Sequence, residues 1–166
     1  MFPGHYADHH ELQGGERSTF TFAVCFGRDT VCAEPLAWVR APSAVSADPV
    51  SYRHANVWSP LTVGSPAAVQ GYEVLVNSAI DGDESFEQRR EVIDEYGWRN
   101  FGELYADHEN PTRRDGFVSH YNNQYDAVAG FLTRFLQTAD RRWWMLGNDL
   151  AAHVVNIDLY HTQRDR

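Results

Sequence analysis

The sequence predicts an α+β chain, with a short N-terminal β segment followed by α-helical hairpins. Three patterns carry that expectation. Near the start, Phe20, Phe22, Val24 and Phe26 alternate with smaller or more polar neighbours, the period-two signature of a half-buried strand. Past the middle, Tyr125, Val128, Phe131, Leu132, Phe135 and Leu136 recur at steps of three and four, as one helix face does. A second apolar stripe, through Trp144, Leu146, Leu150, Val154 and Ile157, follows after the break Thr138-Ala139-Asp140. Two helices joined by so short a break must pack antiparallel.

Residues 1–40 form the expected β segment. His5-Tyr6-Ala7-Asp8-His9-His10-Glu11 gathers histidines and carboxylates. It lacks both zincin spacing and a Cys/His knuckle, so it reads as a polar loop; neither a metal nor a cofactor is expected. Gln13 to Glu16 reads as a turn, Arg17 to Phe26 as a strand closed by Gly27-Arg28-Asp29-Thr30, and Val31 to Val39 as a shorter strand broken by Pro35. These are too few strands to close a sheet alone. Cys25 reads as a small buried apolar residue, with a Cys25–Cys32 bridge across the turn as the other reading.

Residues 41–83 read as an extended connector punctuated by Pro42, Pro49, Pro60 and Pro66, with Trp58 packing it to a surface. Within it, Gly71 to Ile80 fits either a strand or the lead into a helix. Residues 84–166 read as helical. Ser85 is the N-cap of a helix from Phe86 to about Tyr96, with Gln88 completing a capping box and Gly97 the stop. A loop dense in aromatic and ionisable residues runs from Trp98 to Glu109, and a polar turn from Asn110 to Gly116 follows. The helix up to Ala139 opens on Phe117 to Asp126, a stretch richer in amide, imidazole and phenol groups than a cap requires. The last helix begins near Arg141 and ends around Leu159 to His161. Asp158 and His161, three apart, either pair or line one cleft.

The chain of 166 residues has a formal charge of −9 and a hydrophobic fraction of 43%, ordinary for a globular protein. The negative balance argues against a duplex nucleic-acid binder, and no apolar run reaches membrane-spanning length. Every basic residue is Arg, which excludes Schiff-base chemistry and leaves planar guanidinium groups suited to carboxylates. Met1 to His5 has neither the charged nor the apolar region of a signal peptide, and the compartment stays open.

Three stretches together resemble a known family. They are Glu95-Tyr96-Gly97-Trp98-Arg99-Asn100-Phe101-Gly102-Glu103-Leu104-Tyr105, then His120-Tyr121-Asn122-Asn123-Gln124-Tyr125-Asp126, then His153 to Thr162. In order and spacing they resemble the exo-rhamnogalacturonan lyase-like family, also called YetA-like or RIFT-barrel, of large bacterial proteins. The resemblance spans about residues 84–166, and more weakly 5–40. It implies that the β segment ends a β barrel and that the helical hairpins begin an (α/α) toroid. It also implies that family members start before Met1 and continue past His161. The implied activity is β-elimination on an acidic polysaccharide, with the isolated chain inactive. The implied partner is an acidic oligo- or polysaccharide, with no nucleic acid and no membrane. Unburied helix faces would favour self-association.

Uronide elimination needs a base beside the carboxylate, a neutralising partner for the developing enediolate, and an acid for the leaving oxygen. His120 and Tyr121 are the candidate catalytic pair. Arg99 is the candidate carboxylate clamp, with Asn100, Asn122 and Asn123 as amide donors and Trp98, Tyr105 and Tyr125 as ring platforms. Each has a structural alternative: Asn122 and Asn123 as helix caps, His120 as a hydrogen-bonded structural histidine, and Arg99 in an ion pair with Glu103 or Asp126. A non-catalytic carbohydrate-binding or interaction module is the competing function.

Overall fold

The computed structural model describes residues 14–24, 26–27, 37–40, 43–56, 58, 66–93, 95–97, 99–104 and 123–162. Every regular element among them is helical: α1 (Ala37–Arg40), α2 (Pro49–Ala55), α3 (Pro66–Asn77), α4 (Phe86–Ile93), α5 (Ala127–Thr138) and α6 (Arg141–His153). A π turn, Val154–Asp158, continues α6.

The core is the α5–α6 hairpin. The Asp126 carboxylate caps α5 by accepting from Ala129 N at 3.4 Å. Ala139, at φ 57°, ends it in the left-handed conformation, its N–H bonded to Phe135 O at 2.7 Å. Asp140 opens α6 one residue later by accepting from Arg142 N at 2.9 Å. So short a reversal lays the two helices antiparallel, and Phe131, Phe135, Trp143 and Leu150 are buried between them. The Phe131 and Trp143 rings stand 5.9 Å apart, and the Phe86 ring meets Phe131 edge-on at 5.7 Å, which brings α4 onto the hairpin. Gly147 is buried at the crossing. A Cβ there would lie 3.2 Å from Leu132, so the absent side chain sets how closely the helices approach.

Polar anchors hold the outer helices to this hairpin. Arg134 on α5 is buried and forks onto Glu73 of α3, with Nη1 donating to Oε1 at 2.9 Å and Nη2 to Oε2 at 2.6 Å. The same guanidinium donates to Gln137 and Asn77 and stands 5.8 Å from the Trp143 ring centroid. Trp58 Nε1 donates to Thr133 Oγ1 on α5 at 3.0 Å, so this connector residue does pack on a surface. Ser85 is the N-cap of α4, its hydroxyl accepting from Gln88 N at 3.3 Å, and that helix ends at Ile93, earlier than the Tyr96 expected.

The expected β segment is not there, so the α+β class is corrected to a helical one: no strand occurs among the described residues. Gly15 to Thr19 runs alongside the end of the π turn through two backbone bonds, Arg17 N to Asn156 O at 2.7 Å and His161 N to Gly15 O at 2.8 Å. Beyond them the described residues join no ladder, and Phe20, Phe22, Val24 and Phe26 are 73%, 79%, 61% and 93% exposed. Alternation records which side chains a sheet would bury; it does not supply the neighbouring strand. The Val31–Val39 strand is likewise replaced at its end by the helical turn α1, and residues 1–13 and 28–36 lie outside the described residues. Within the connector, Asp48 followed by Pro49 starts α2, the Asp48 side chain accepting from Val50 N at 2.6 Å. Gly71 to Ile80 resolves as the later part of α3 and the turn after it.

Two outcomes follow. Leu150 is fully buried, so Leu150→Ala should lower the unfolding free energy by about 2–5 kcal/mol in chemical denaturation. Hydrogen bonds from Arg134 hold the Glu73 carboxyl below its ordinary range. A depressed carboxyl stabilises the fold above its unfolded value and loses that contribution as pH falls through the folded one. Denaturation midpoints of Glu73→Gln should therefore fall less steeply than wild type's as pH is lowered from about 5 to about 3.

Candidate functional site

The residues expected to form a site fall into three groups. Trp98, Tyr105, His120, Tyr121 and Asn122 lie outside the described residues. Arg99 and Asn100 sit in the loop after α4, whereas Asn123 and Tyr125 sit at the start of α5. Asn123 takes the capping role: its Oδ1 accepts from Val128 N at 3.0 Å and its Nδ2 donates to Asp126 at 3.5 Å. Tyr125, counted in the apolar stripe, precedes the helix in a turn and is 73% exposed. Asn100 holds the loop through its backbone, donating to Gly97 O at 3.2 Å and accepting from Glu103 N at 3.0 Å. Arg99 Nη2 donates to Glu16 Oε1 at 2.8 Å, a pairing with the N-terminal segment in place of Glu103 or Asp126.

The same loop forms one wall of a cleft of about 260 Å³ lined by Ala79, Ile80, Glu87, Arg90, Tyr96, Phe101, Arg142, Met145, Leu146 and Asp149. Helical spacing explains the other wall. Arg142, Met145, Leu146 and Asp149 fall at i, i+3, i+4 and i+7 of α6, hence on one face, and Glu87 and Arg90 share a face of α4 in the same way. The turn after α3 is tied to the start of α4 by Phe86 N donating to Ala79 O at 3.0 Å, which brings Ala79 and Ile80 to the rim.

Arg90 is the hinge of the cleft. Its Nη1 donates to Asp149 Oδ2 at 3.2 Å, and its guanidinium lies 4.4 Å from the centroid of the Phe101 ring. Burial pushes the Asp149 carboxyl up from its ordinary value, and the charge and hydrogen bond of Arg90 oppose that rise. Tyr96 stands 5.9 Å from Phe101 and bonds its hydroxyl to Glu91, which pushes the phenol above its ordinary value. Arg142 is fixed by Asp140, Asp81 and the Ile80 carbonyl, and those carboxylates hold it protonated. The Asp140 carboxyl is held low in return. Among the described residues the cleft thus presents two rings and two guanidinium groups, each guanidinium already paired with a carboxylate.

Gly102 fits the loop to α6. It has φ 94° and is buried, and a Cβ on it would run into the Asp149 carbonyl oxygen. A water-sized cavity of about 10 Å³, lined by Phe86, Arg90, Glu95, Glu103, Leu104 and Leu146, adjoins the cleft and shares Arg90 and Leu146 with it. Behind the loop, the buried His153 turns Nε2 between Glu103 Oε2 at 3.7 Å and Asp158 Oδ1 at 3.6 Å, and its Nδ1 has no hydrogen-bond partner among the described residues. Asp158 therefore faces His153, while the His161 ring lies 2.6 Å from the Val155 carbonyl, so the Asp158–His161 pair is not formed. Among the described residues no group of three or more His, Cys, Asp or Glu side chains is arranged to hold a metal ion, and none of their helices is long and apolar enough to cross a membrane.

The sequence reading named Arg99 and Asn100 but passed over Arg90, Phe101, Arg142 and Asp149. The signal was available in the charged positions of α6, which repeat on the stripe Arg142–Met145–Leu146–Asp149 beside the apolar one. Gly102→Ala should force the loop off α6 and lower stability by about 1–3 kcal/mol, measured by denaturation. It should also abolish the Arg90–Phe101 contact, read as a shift of the Phe101 ring resonances in NMR spectra.

Comparison with family models, curated protein sequences and solved structures found no match.

Proposed function

We propose that the chain belongs to a carbohydrate-active protein resembling polysaccharide lyases, one that acts on an acidic polysaccharide by β-elimination. The observation that carries this reading is the convergence of ring faces and guanidinium groups on the loop 95–104: Tyr96, Phe101 and Arg90 toward the cleft, and Arg99 on the same loop. Rings stack on the apolar faces of sugars, and guanidinium groups match a uronate carboxylate. Of the three stretches that carry the resemblance, the described parts are most of the loop 95–104, residues 123–126 before α5, and residues 153–162, from the last residue of α6 through the π turn. His120 and Tyr121 remain the candidate acid and base.

A second reading, a non-catalytic carbohydrate-binding or interaction module, is favoured by Tyr96. Its hydroxyl is bonded to Glu91 and pushed up, so among the described residues Tyr96 offers the cleft a ring face rather than a base. An acidic oligo- or polysaccharide is the partner in both readings.

Titrating tri-galacturonate and a neutral galactotriose into the purified chain tests binding. Following the ultraviolet absorbance of unsaturated uronides with a protein of native length, since the isolated chain is expected to be inactive, tests turnover. Selective binding of the acidic sugar, with absorbance growth lost in His120→Ala, supports the lyase reading. Selective binding without turnover in a protein of native length leaves the module, and no binding removes both. Tyr96→Ala, at a half-exposed ring, should weaken binding about five- to tenfold, from roughly 1–1.4 kcal/mol for a lost ring contact.

A further inference from the structure

Arg99 is placed where the proposed function wants a carboxylate, and a carboxylate is already on it. Glu16 is 2% exposed in its side chain and Arg99 38%, so the acid is buried while the guanidinium keeps a solvent-facing side. A buried carboxylate requires partners to offset its lost hydration, and Arg99 is one of them.

Among the described residues, the segment bearing Glu16 is held by the ion pair, the Arg17–Asn156 and His161–Gly15 backbone bonds, a 3.4 Å contact from Thr19 Oγ1 to Asn156 Oδ1, and close packing of Gly15 on Tyr160. Of the residues that continue it, Phe20, Phe22, Val24 and Phe26 are exposed apolar groups. The segment lies against a π turn, Val154–Asp158, a rare backbone form that continues α6.

We propose that Gly15 to Thr19 is an autoinhibitory strap, in which the Glu16 carboxylate holds the Arg99 guanidinium that an acidic sugar takes when the strap lifts. The inference rests on the reading of Arg99 as the carboxylate clamp of a saccharide site. An internal carboxylate on the clamp lowers apparent affinity by the fraction of time the strap is open: a strap closed nine-tenths of the time weakens binding about tenfold.

Two substitutions lift the strap by different means. Glu16→Gln removes the charge, and Gly15→Ala places a Cβ 2.8 Å from Tyr160 Cδ1 at φ 97°, where an L side chain is strained. In calorimetric titrations with tri-galacturonate, both should bind about tenfold tighter than wild type, and Arg99→Ala should cancel the gain in each. On the unmodified protein, saturating tri-galacturonate should speed hydrogen exchange of the Arg17 and His161 amides, whereas galactotriose should not. Arg99-dependent binding that neither variant tightens, or unchanged exchange at saturation, overturns the strap and leaves the saccharide reading standing. Absence of binding in wild type and both variants overturns the saccharide reading, and the strap falls with it.

Discussion

The packing of α6 on α5 is the contact on which every other feature of this protein depends. Trp143 and Leu150 face Phe131 and Phe135 across a crossing that Gly147 keeps narrow. Because the helices reverse within Ala139 and Asp140, their register follows from two caps, and with it the position of each charged group on the outer face of α6. Asp149 is where Arg90 reaches it, and its carbonyl is where Gly102 seats the loop, only because Leu150 next to it is buried in the hairpin.

Around that hairpin the elements are attached by charges. Glu73 ties α3 to Arg134, Asp149 ties α4 to α6 through Arg90, and Glu16 ties the N-terminal segment to Arg99. Each tie joins residues far apart in sequence and at least one partner is largely buried. Such pairs give little net stability, since desolvation offsets most of the attraction, but a wrong arrangement would strand a buried charge. They act as registers for segments that also pack on the hairpin through a few apolar side chains, Val76 of α3 and Phe86 of α4 among them.

The loop 95–104 has two aspects that follow from this arrangement. Phe101 and Tyr96 face the cleft beside Arg90, while Arg99 turns to Glu16. An arginine paired to an internal carboxylate is already oriented, so the geometry that serves the fold also suits a ligand of the same charge. Saccharide recognition and its restraint by the N-terminal segment are therefore readings of one electrostatic preference, expressed toward a substrate in one case and toward the chain itself in the other.

What local chemistry dictates was legible in the residues. The Thr138–Asp140 break, the start of α6 at Arg141, the Ser85 cap and the burial of Phe131, Phe135 and Leu150 all follow from spacing and capping, which act within a few residues. Asn123 as a cap was one of two readings, and the hydrogen bond to Val128 N decides for it. The β segment was misread because alternation from Phe20 to Phe26 describes a strand's faces, while a strand exists only through a neighbour the sequence does not name. The connector hid α2 because prolines were taken as breaks, although Asp48-Pro49 is a helix start. The burial of Arg134, the cleft around Arg90 and the pairing of Arg99 with Glu16 were decided by tertiary structure alone. Caps and periodicity are interactions between near neighbours; ion pairs between residues dozens of positions apart exist only once the hairpin has brought their helices together.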